Sequence, residues 1–400
     1  MIFSRNQLDR AKVIFSKPSF ILAVWLTLAT AAGIQHYLRG PEHVKRNYNN
    51  YLIFKGVFWH AVEKKNLYDL YPEDHFDSNH YGPFFSVVIA PFAVLPDAVG
   101  ICLWIMFNGA VLFYAIRQLP LKESQIIAVL WLVTNELYTS YSNQQINPFI
   151  AATIILAYVW MRKEKDFWAA FVIMAGTFIK LYSIAGLAFF FFSKHKMRLI
   201  GALAFWAVVC FVAPMIISGP EFVVQSYKDW QVSLTAKDGL NAISRHQDIS
   251  VSGVVRRISG HREIPLTYFL LPGVFLFMLP YLKVKHYGNT TFQLLMLCSV
   301  LLFLCLFSSS TESSTYIVAF TGVAIWFLLH ERPYPKLVMG LMILAFVLTS
   351  LSPTDLMPKP ARVFIFDYAL KAVPCIFVWC YVMVELLRFG ARSRLQQLDS

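Results

Sequence analysis

The sequence predicts an all-α bundle embedded in a membrane, and three observations carry that prediction. Of the 400 residues, 57% are hydrophobic and only 14% charged, whereas soluble domains carry about a quarter charged residues. Apolar runs at or near spanning length recur from one end to the other, a spanning helix needing about 20 residues. Lys and Arg gather in the short segments between alternate runs, as cytoplasmic loops do. The formal net charge of +12 would point to nucleic acid in a soluble protein. Here it reads as helix-orienting charge, and no nucleic-acid partner is expected.

Twelve spans are expected, near 19–37, 99–116, 125–140, 145–161, 167–180, 181–193, 198–217, 266–282, 290–307, 315–329, 337–351 and 366–387. With the N-terminus inside, the internal segments 1–18, 117–124, 162–166, 194–198, 283–289, 330–336 and 388–400 hold 19 of the 35 Lys and Arg. The external turns 141–144 and 308–314 hold none. Both termini are therefore read as cytoplasmic, in a multi-pass protein of the plasma (inner) membrane. This count requires that "PFFSVVIAPFAVLP" (83–96), short and with three prolines, stays re-entrant or interfacial. It also requires that 167–193 crosses twice, turning near Lys180. The alternative lets 83–96 span and makes 167–193 one helix, but then "MRKEKD" faces outward against the charge rule.

Two long loops, 38–98 and 218–265, fall outside in either case. Ordered loops of such length usually carry function. The basic N-terminus, with no small-residue cleavage site, reads as an uncleaved anchor. The six cysteines lie in apolar runs without C-x-x-C spacing and read as core thiols, neither disulfide frame nor metal site. Phosphate-binding glycine loops, H-E-x-x-H and G-x-S-x-G are absent from the sequence, which argues against an ATPase or a zinc protease.

Lys180 is the one charge in the run from Phe167 to Ser193. An ionisable group at membrane depth marks a site or a wet cavity, although a lysine near a helix end also snorkels. An ammonium suits phosphate. In "SRHQDISVSGVVRRISGHRE" (244–263), Arg256 and Arg257 sit on an expected short helix, 250–258, with Asp248 or Ser250 as cap. That cluster fits phosphate or a lipid headgroup belt. Residues 50–63 carry a broad apolar face, which suits a helix lying on the membrane surface. The acidic stretch after it offers Asp69, Glu73, Asp74, His75 and Asp77, any of which has the chemistry of a general base. In "ELYTSYSNQQINPF" (136–149), Glu136 and the amides have the chemistry to bind a sugar, line a cavity or join helices.

Several of these stretches, in order, resemble glycosyltransferase family 87 of the GT-C superfamily. "LYDLYP" with "YGPFFSVVIAPFAVLP", "QQIN" (144–147), "KLYS" (180–183), "GPEFVVQSYKDW" (219–230) and "QDISVSGVVRRI" (247–258) are similar to successive motifs of that family. The resemblance implies a membrane enzyme that moves a hexose, mannose being the expected case, from a polyprenyl-phosphate donor to a glycolipid or glycan acceptor on the outer face. It implies one integral membrane domain over 1–400. Within it, 19–217 would be a GT-C-like catalytic module, 218–265 the second external loop and 266–388 the C-terminal helices. It implies that Lys180, Tyr182, Gln145, Asn147, Asp248, Arg256 and Arg257 bind the donor, with Lys180 and the two arginines on its phosphate. No required cofactor follows, and a divalent cation stays open. The family's catalytic Asp corresponds here to Asn49 or Asn50. An amide cannot take a proton from a hydroxyl, so Asn50 leaves the base to Asp69, Asp77 or His60, or else marks an inactive member. Gln144 and Ser183 replace the family's Gly and Pro. A transporter of a lipid-linked anion is the other reading, but the sequence shows no internal repeat of the kind transporters use.

Overall fold

A computed structural model describes residues 13–39, 41–42 and 45–390. The elements are α1 (Pro18–Leu38), α2 (Asn49–Glu63), α3 (Phe85–Ala93), α4 (Asp97–Arg117), α5 (Glu123–Ser142), α6 (Asn147–Arg162) and α7 (Asp166–Ile179). A 3-10 helix (Leu181–Phe192) follows, then α8 (Lys196–Val212, extended by Met215–Ser218), α9 (Pro220–Ile243), α10 (Val251–Ser259), α11 (Thr267–Met278) and α12 (Thr290–Leu306). The chain ends in α13 (Tyr316–Leu328), α14 (Lys336–Leu344, continued by a π-helix, Ala345–Leu351), α15 (Lys359–Asp367) and α16 (Val373–Leu387). Among the described residues the only extended pairing joins Pro41–Glu42 to Lys45–Arg46. The expected cytoplasmic placement of the termini falls largely on residues 1–12 and 391–400, outside the described residues.

Side-chain contacts set the direction of each helix. Trp25 of α1 meets Phe113 of α4 while Gly33 packs on Cys102, so the two helices are antiparallel. The Cys305 thiol donates to the Thr315 carbonyl across the α12–α13 turn, and Gly322 packs further back on Cys298. Contacts of this kind make α1, α4, α5, α6, α7, the 3-10 helix, α8, α11, α12, α13, α14 and α16 run alternately between two ends of the bundle. One end carries α2, α3, α9, α10 and α15. Among the described residues the opposite end carries short turns, rich in Lys and Arg. By length and composition, Pro18–Leu38, Asp97–Arg117, Lys196–Ser218 and Leu370–Leu387 suffice to cross a membrane; several other apolar helices are shorter.

The run 167–193 is broken where the lone charge sits. α7 ends at Ile179, Lys180 is extended (φ −144°, ψ 122°), and the 3-10 helix returns beside α7. The far ends meet, because Ser193 Oγ donates to Asp166 Oδ1 at 2.8 Å. The unit is thus a hairpin with Lys180 at its tip. The segment 83–96 forms the nine-residue α3, wedged between α2 and α4.

The expected surface position of helix 50–63 is corrected. Tyr51, Phe54 and Val57 on its apolar face are at most 2% exposed, covered by the protein itself. Polar groups pin it there: the Tyr51 hydroxyl donates to the Phe92 carbonyl (2.9 Å), the Trp59 indole to the Ala93 carbonyl (3.2 Å), and Lys55 pairs with Asp97 (2.7 Å). Among the cysteines, Cys380 is exposed and Cys102 half-buried while the other four are buried, so the core reading fails at Cys380.

Glu136 is held inside the helix bundle by an ion pair. It is fully buried and accepts from the Lys371 ammonium at 2.9 and 3.1 Å. Lys371 also donates to the Ser313 carbonyl and hydroxyl and lies 5.2 Å from the Tyr316 ring centre. Removing one partner of such a pair strands a buried charge, at a cost of about 3–5 kcal/mol, whereas an apolar double replacement is often neutral. We therefore expect Lys371→Met to lower the thermal unfolding midpoint of the detergent-solubilised protein sharply, and Glu136→Leu combined with Lys371→Met to recover most of the loss.

Candidate functional site

A cavity of about 180 Å³ opens at the end of the bundle that carries α2 and α9. Lys180 and Tyr182 at the hairpin tip line it, together with Asn50 at the start of α2, Asp77, His80 and Tyr81 of the first long loop, and Gln145. Trp230, Leu234 and Lys237 of α9 and Glu312 complete the wall.

Local packing explains why these groups converge. The floor is an aromatic cluster in which Phe54 meets Tyr81 (5.1 Å), Phe85 (5.3 Å) and Trp104 (5.9 Å) edge to face. Each such pair contributes about 0.5–1.5 kcal/mol beyond area burial. The Trp104 indole donates to the Gln144 carbonyl and the Tyr81 hydroxyl to Gln145 Oε1 (3.0 Å), so α4 and the first loop both hold the 144–147 turn. Gln144 sits at φ +50°, the left-handed region that glycine enters most readily. Gly82 donates its N–H to the Ile179 carbonyl, and a Cβ on it would lie 2.1 Å from the Phe178 carbonyl oxygen. Only a glycine lets the first loop come this close to the hairpin tip and bring Tyr81 over Lys180.

Lys180 donates to Asn147 Oδ1 at 3.1 Å and lies 4.7 Å from the Tyr182 ring centre and 5.9 Å from that of Tyr81. Asn147, at the start of α6, is 1% exposed. The ammonium has three donors, and Asn147 is its one hydrogen-bond acceptor among the described residues; no carboxylate lies within salt-bridge distance. Lys237 lines the facing wall with no ion pair or hydrogen bond described for it. Burial lowers its pKa, opposed by the Glu312 and Asp77 carboxylates. Glu312 is engaged: it accepts from Gln247 Nε2 (2.6 Å) and from the Ser314 hydroxyl (3.4 Å). Asp77 is exposed and, among the described residues, its carboxylate accepts only from the neighbouring Ser78 N–H (2.8 Å). Burial, reinforced by Lys237, pushes His80 down to about 3, so its imidazole is neutral and weakly basic. Asp77 is the freest proton acceptor on the cavity wall. Asn50 donates its amide to the Asn143 carbonyl (2.9 Å).

Other expected site residues lie elsewhere. His60, in the last turn of α2, is buried 3.9 Å from Tyr71 between ring centres and 3.4 Å from Asp74, and does not line the cavity. Asp69 is exposed and does not line the cavity. The arginines expected to hold phosphate beside Lys180 do not line it either. Arg256 is buried against Asp248 (2.7 Å) and donates to the Ile264 carbonyl, while Arg257 donates to the Phe366 and Gln247 carbonyls. Asp248 also accepts from Ser250 and Ser252, and Ser250 caps α10. This knot braces the cavity from behind, since Asp248 N–H donates to the Ser309 carbonyl and Tyr182 bonds to Ser308 (2.7 Å).

His80, Tyr81, Trp230, Lys237 and Glu312 were not among the expected site residues. Trp230, Leu234 and Lys237 stand at i, i+4 and i+7, one helix face, which is a readable signal once α9 is taken as a helix. Among the described residues no three His, Cys, Asp or Glu side chains gather as metal ligands would.

The profile of glycosyltransferase family 87 matches residues 79–309, more than half of the chain. The match opens beside His80 and closes at the 308–312 turn, with Asn50 and Asp77 N-terminal to it. No curated protein matches the chain.

The buried His80 gives a signed pH dependence. Its folded pKa of about 3 lies below the unfolded value of about 6.5. The unfolded state therefore binds more protons as pH falls from about 6.5 toward 3, and stability drops across that window. Unfolding midpoints measured through this range should fall less steeply in His80→Gln than in the native protein.

Proposed function

Because the chain belongs to glycosyltransferase family 87, we propose that the cavity transfers a hexose, mannose being the expected case, from a polyprenyl-phosphate donor to a hydroxyl of a glycolipid or glycan. The supporting observation is the Lys180 ammonium, with one neutral protein acceptor, in a wall shared with the free carboxylate of Asp77. A cation with unfilled donors fits a phosphate, and an open carboxylate fits the task of taking a proton.

The anomeric carbon of the donor sits between them. The acceptor oxygen attacks it, Asp77 takes the hydroxyl proton, and the bond to the phosphate oxygen breaks with its electron pair leaving on the phosphate. Lys180 stabilises that charge in a partly dry site, where such stabilisation counts most. Tyr81 and Gln145 orient the sugar, and Asn147 holds Lys180 in place. The twelve alternating helices cross the plasma membrane, and the basic turns at the opposite end face the cytoplasm, so transfer occurs on the outer face. Asn50, in the cavity wall where the family carries a carboxylate, also motivates a second reading: a member that binds donor without turnover.

Purified protein incubated with polyprenyl-phosphate hexoses should release lipid phosphate. Lys180→Ala should reduce that release by about 10²–10³-fold and Asp77→Asn by about 10²–10⁴-fold, with unfolding midpoints unchanged. Donor binding without release in the native protein, together with turnover gained in Asn50→Asp, would favour the second reading.

A further inference from the structure

We propose that Lys237 is a second phosphate-binding residue of this cavity, brought to it by α9, and that it acts on the charge that appears only as the glycosidic bond breaks. This rests on the transfer reading above.

The geometry comes first. α9 lies over the cavity with one stripe inward: Val223, Ser226, Trp230 and Asn241 are at most 8% exposed. The Trp230 indole donates to the His80 carbonyl (3.0 Å), Ser233 bonds to His80 Nδ1 (3.0 Å), and Asn241 donates to Ser310 (2.9 Å). These bonds fix the helix against both the first loop and the 308–312 turn. Lys237 lies between the second and third of them and lines the cavity opposite the hairpin tip. The arginines that were the obvious partners for Lys180 are held by Asp248 and by backbone carbonyls. Lys237 is the remaining cation on the cavity wall, and like Lys180 it has no carboxylate within salt-bridge distance among the described residues.

The chemistry assigns the two lysines different work. A lipid-phosphate sugar is a phosphodiester with one negative charge, which Lys180 alone balances. When the C1–O bond breaks, its electron pair passes to the phosphate and the product is a monoester carrying about −1.5 to −2 at pH 7. The proton released by the acceptor hydroxyl goes to Asp77, so the second charge remains on the phosphate. A group that meets charge formed only in the transition state raises kcat, whereas one that meets charge already present in the substrate changes KM. Lys237 is accordingly matched to the charge added on the leaving monoester, while Lys180 holds the phosphate in diester and monoester alike.

The test compares Lys237→Ala and Lys237→Arg with the native enzyme. It reads kcat and donor KM, together with binding of a short-chain polyprenyl phosphate and of an uncleavable phosphonate analogue of the donor. We expect Lys237→Ala to lose about 10²-fold in kcat at unchanged KM, to weaken on the monoester far more than on the diester analogue, and to be rescued largely by Lys237→Arg. Native kcat in Lys237→Ala, or equal weakening on both ligands, overturns the assignment while leaving the transfer reading intact if Lys180→Ala is inactive. A native protein that turns over no lipid-phosphate sugar overturns both. Should Lys237→Ala unfold, Lys237→Gln, which keeps a polar side chain of nearly the same reach, is read by the same criteria.

Discussion

The site depends on one interruption: the break in the apolar run at Lys180. Without it, α7 and the 3-10 helix would be a single rod and the ammonium would sit partway along it, in hydrocarbon. With it, the run becomes a hairpin whose ends are clasped by Ser193 and Asp166, and the lysine is carried to the tip. The close approach of Gly82, the ring faces of Tyr81 and Tyr182, and the Asn147 amide all converge on that tip. The cavity is what remains between the tip, the first long loop and α9.

The polar side chains at this end of the bundle divide into two sets. One set is closed on itself: Asp248 with Arg256 and the serines, Glu136 with Lys371, Arg257 with carbonyls. Their donors and acceptors are matched within the protein, so they brace the architecture. The other set faces the cavity with capacity left over, namely Lys180, Lys237 and Asp77. Lys180 and Lys237 are half-buried, and polar groups shielded from water and left unmatched are costly, so their persistence is itself an argument for an anionic ligand, with the exposed Asp77 beside them to meet an attacking hydroxyl.

Much of the architecture could be read from the chain. The alternating helices follow the apolar runs because hydrophobic length is a local property. The hairpin was legible from charge, because a double crossing keeps the basic 162–166 turn inside and the only charge in 167–193 marks the tip. A cap for α10 was legible as Asp248 or Ser250, and Ser250 is the residue that caps it. What resisted reading was long-range pairing. Nothing near Glu136 announces Lys371, and nothing in "VSGVVRRIS" tells whether Arg256 meets a ligand or Asp248. The surface position expected for residues 50–63 failed for the same reason: an apolar face states that something covers it and does not state what. Lys237 escaped because a reading of 218–265 as a long loop leaves the helical spacing of Trp230, Leu234 and Lys237 unused.

The clasp between Glu136 and Lys371 spans 235 residues of sequence. At a synthesis rate of about 5–20 residues per second, its two halves emerge from the ribosome roughly 10–50 s apart. For that interval α5 is inserted with a carboxylate that has no counter-ion. The insertion machinery, water or a neighbouring helix must shelter it until α16 arrives. The last helix therefore acts as the latch of assembly, and a chain truncated before residue 371 would leave the bundle open around an orphaned charge.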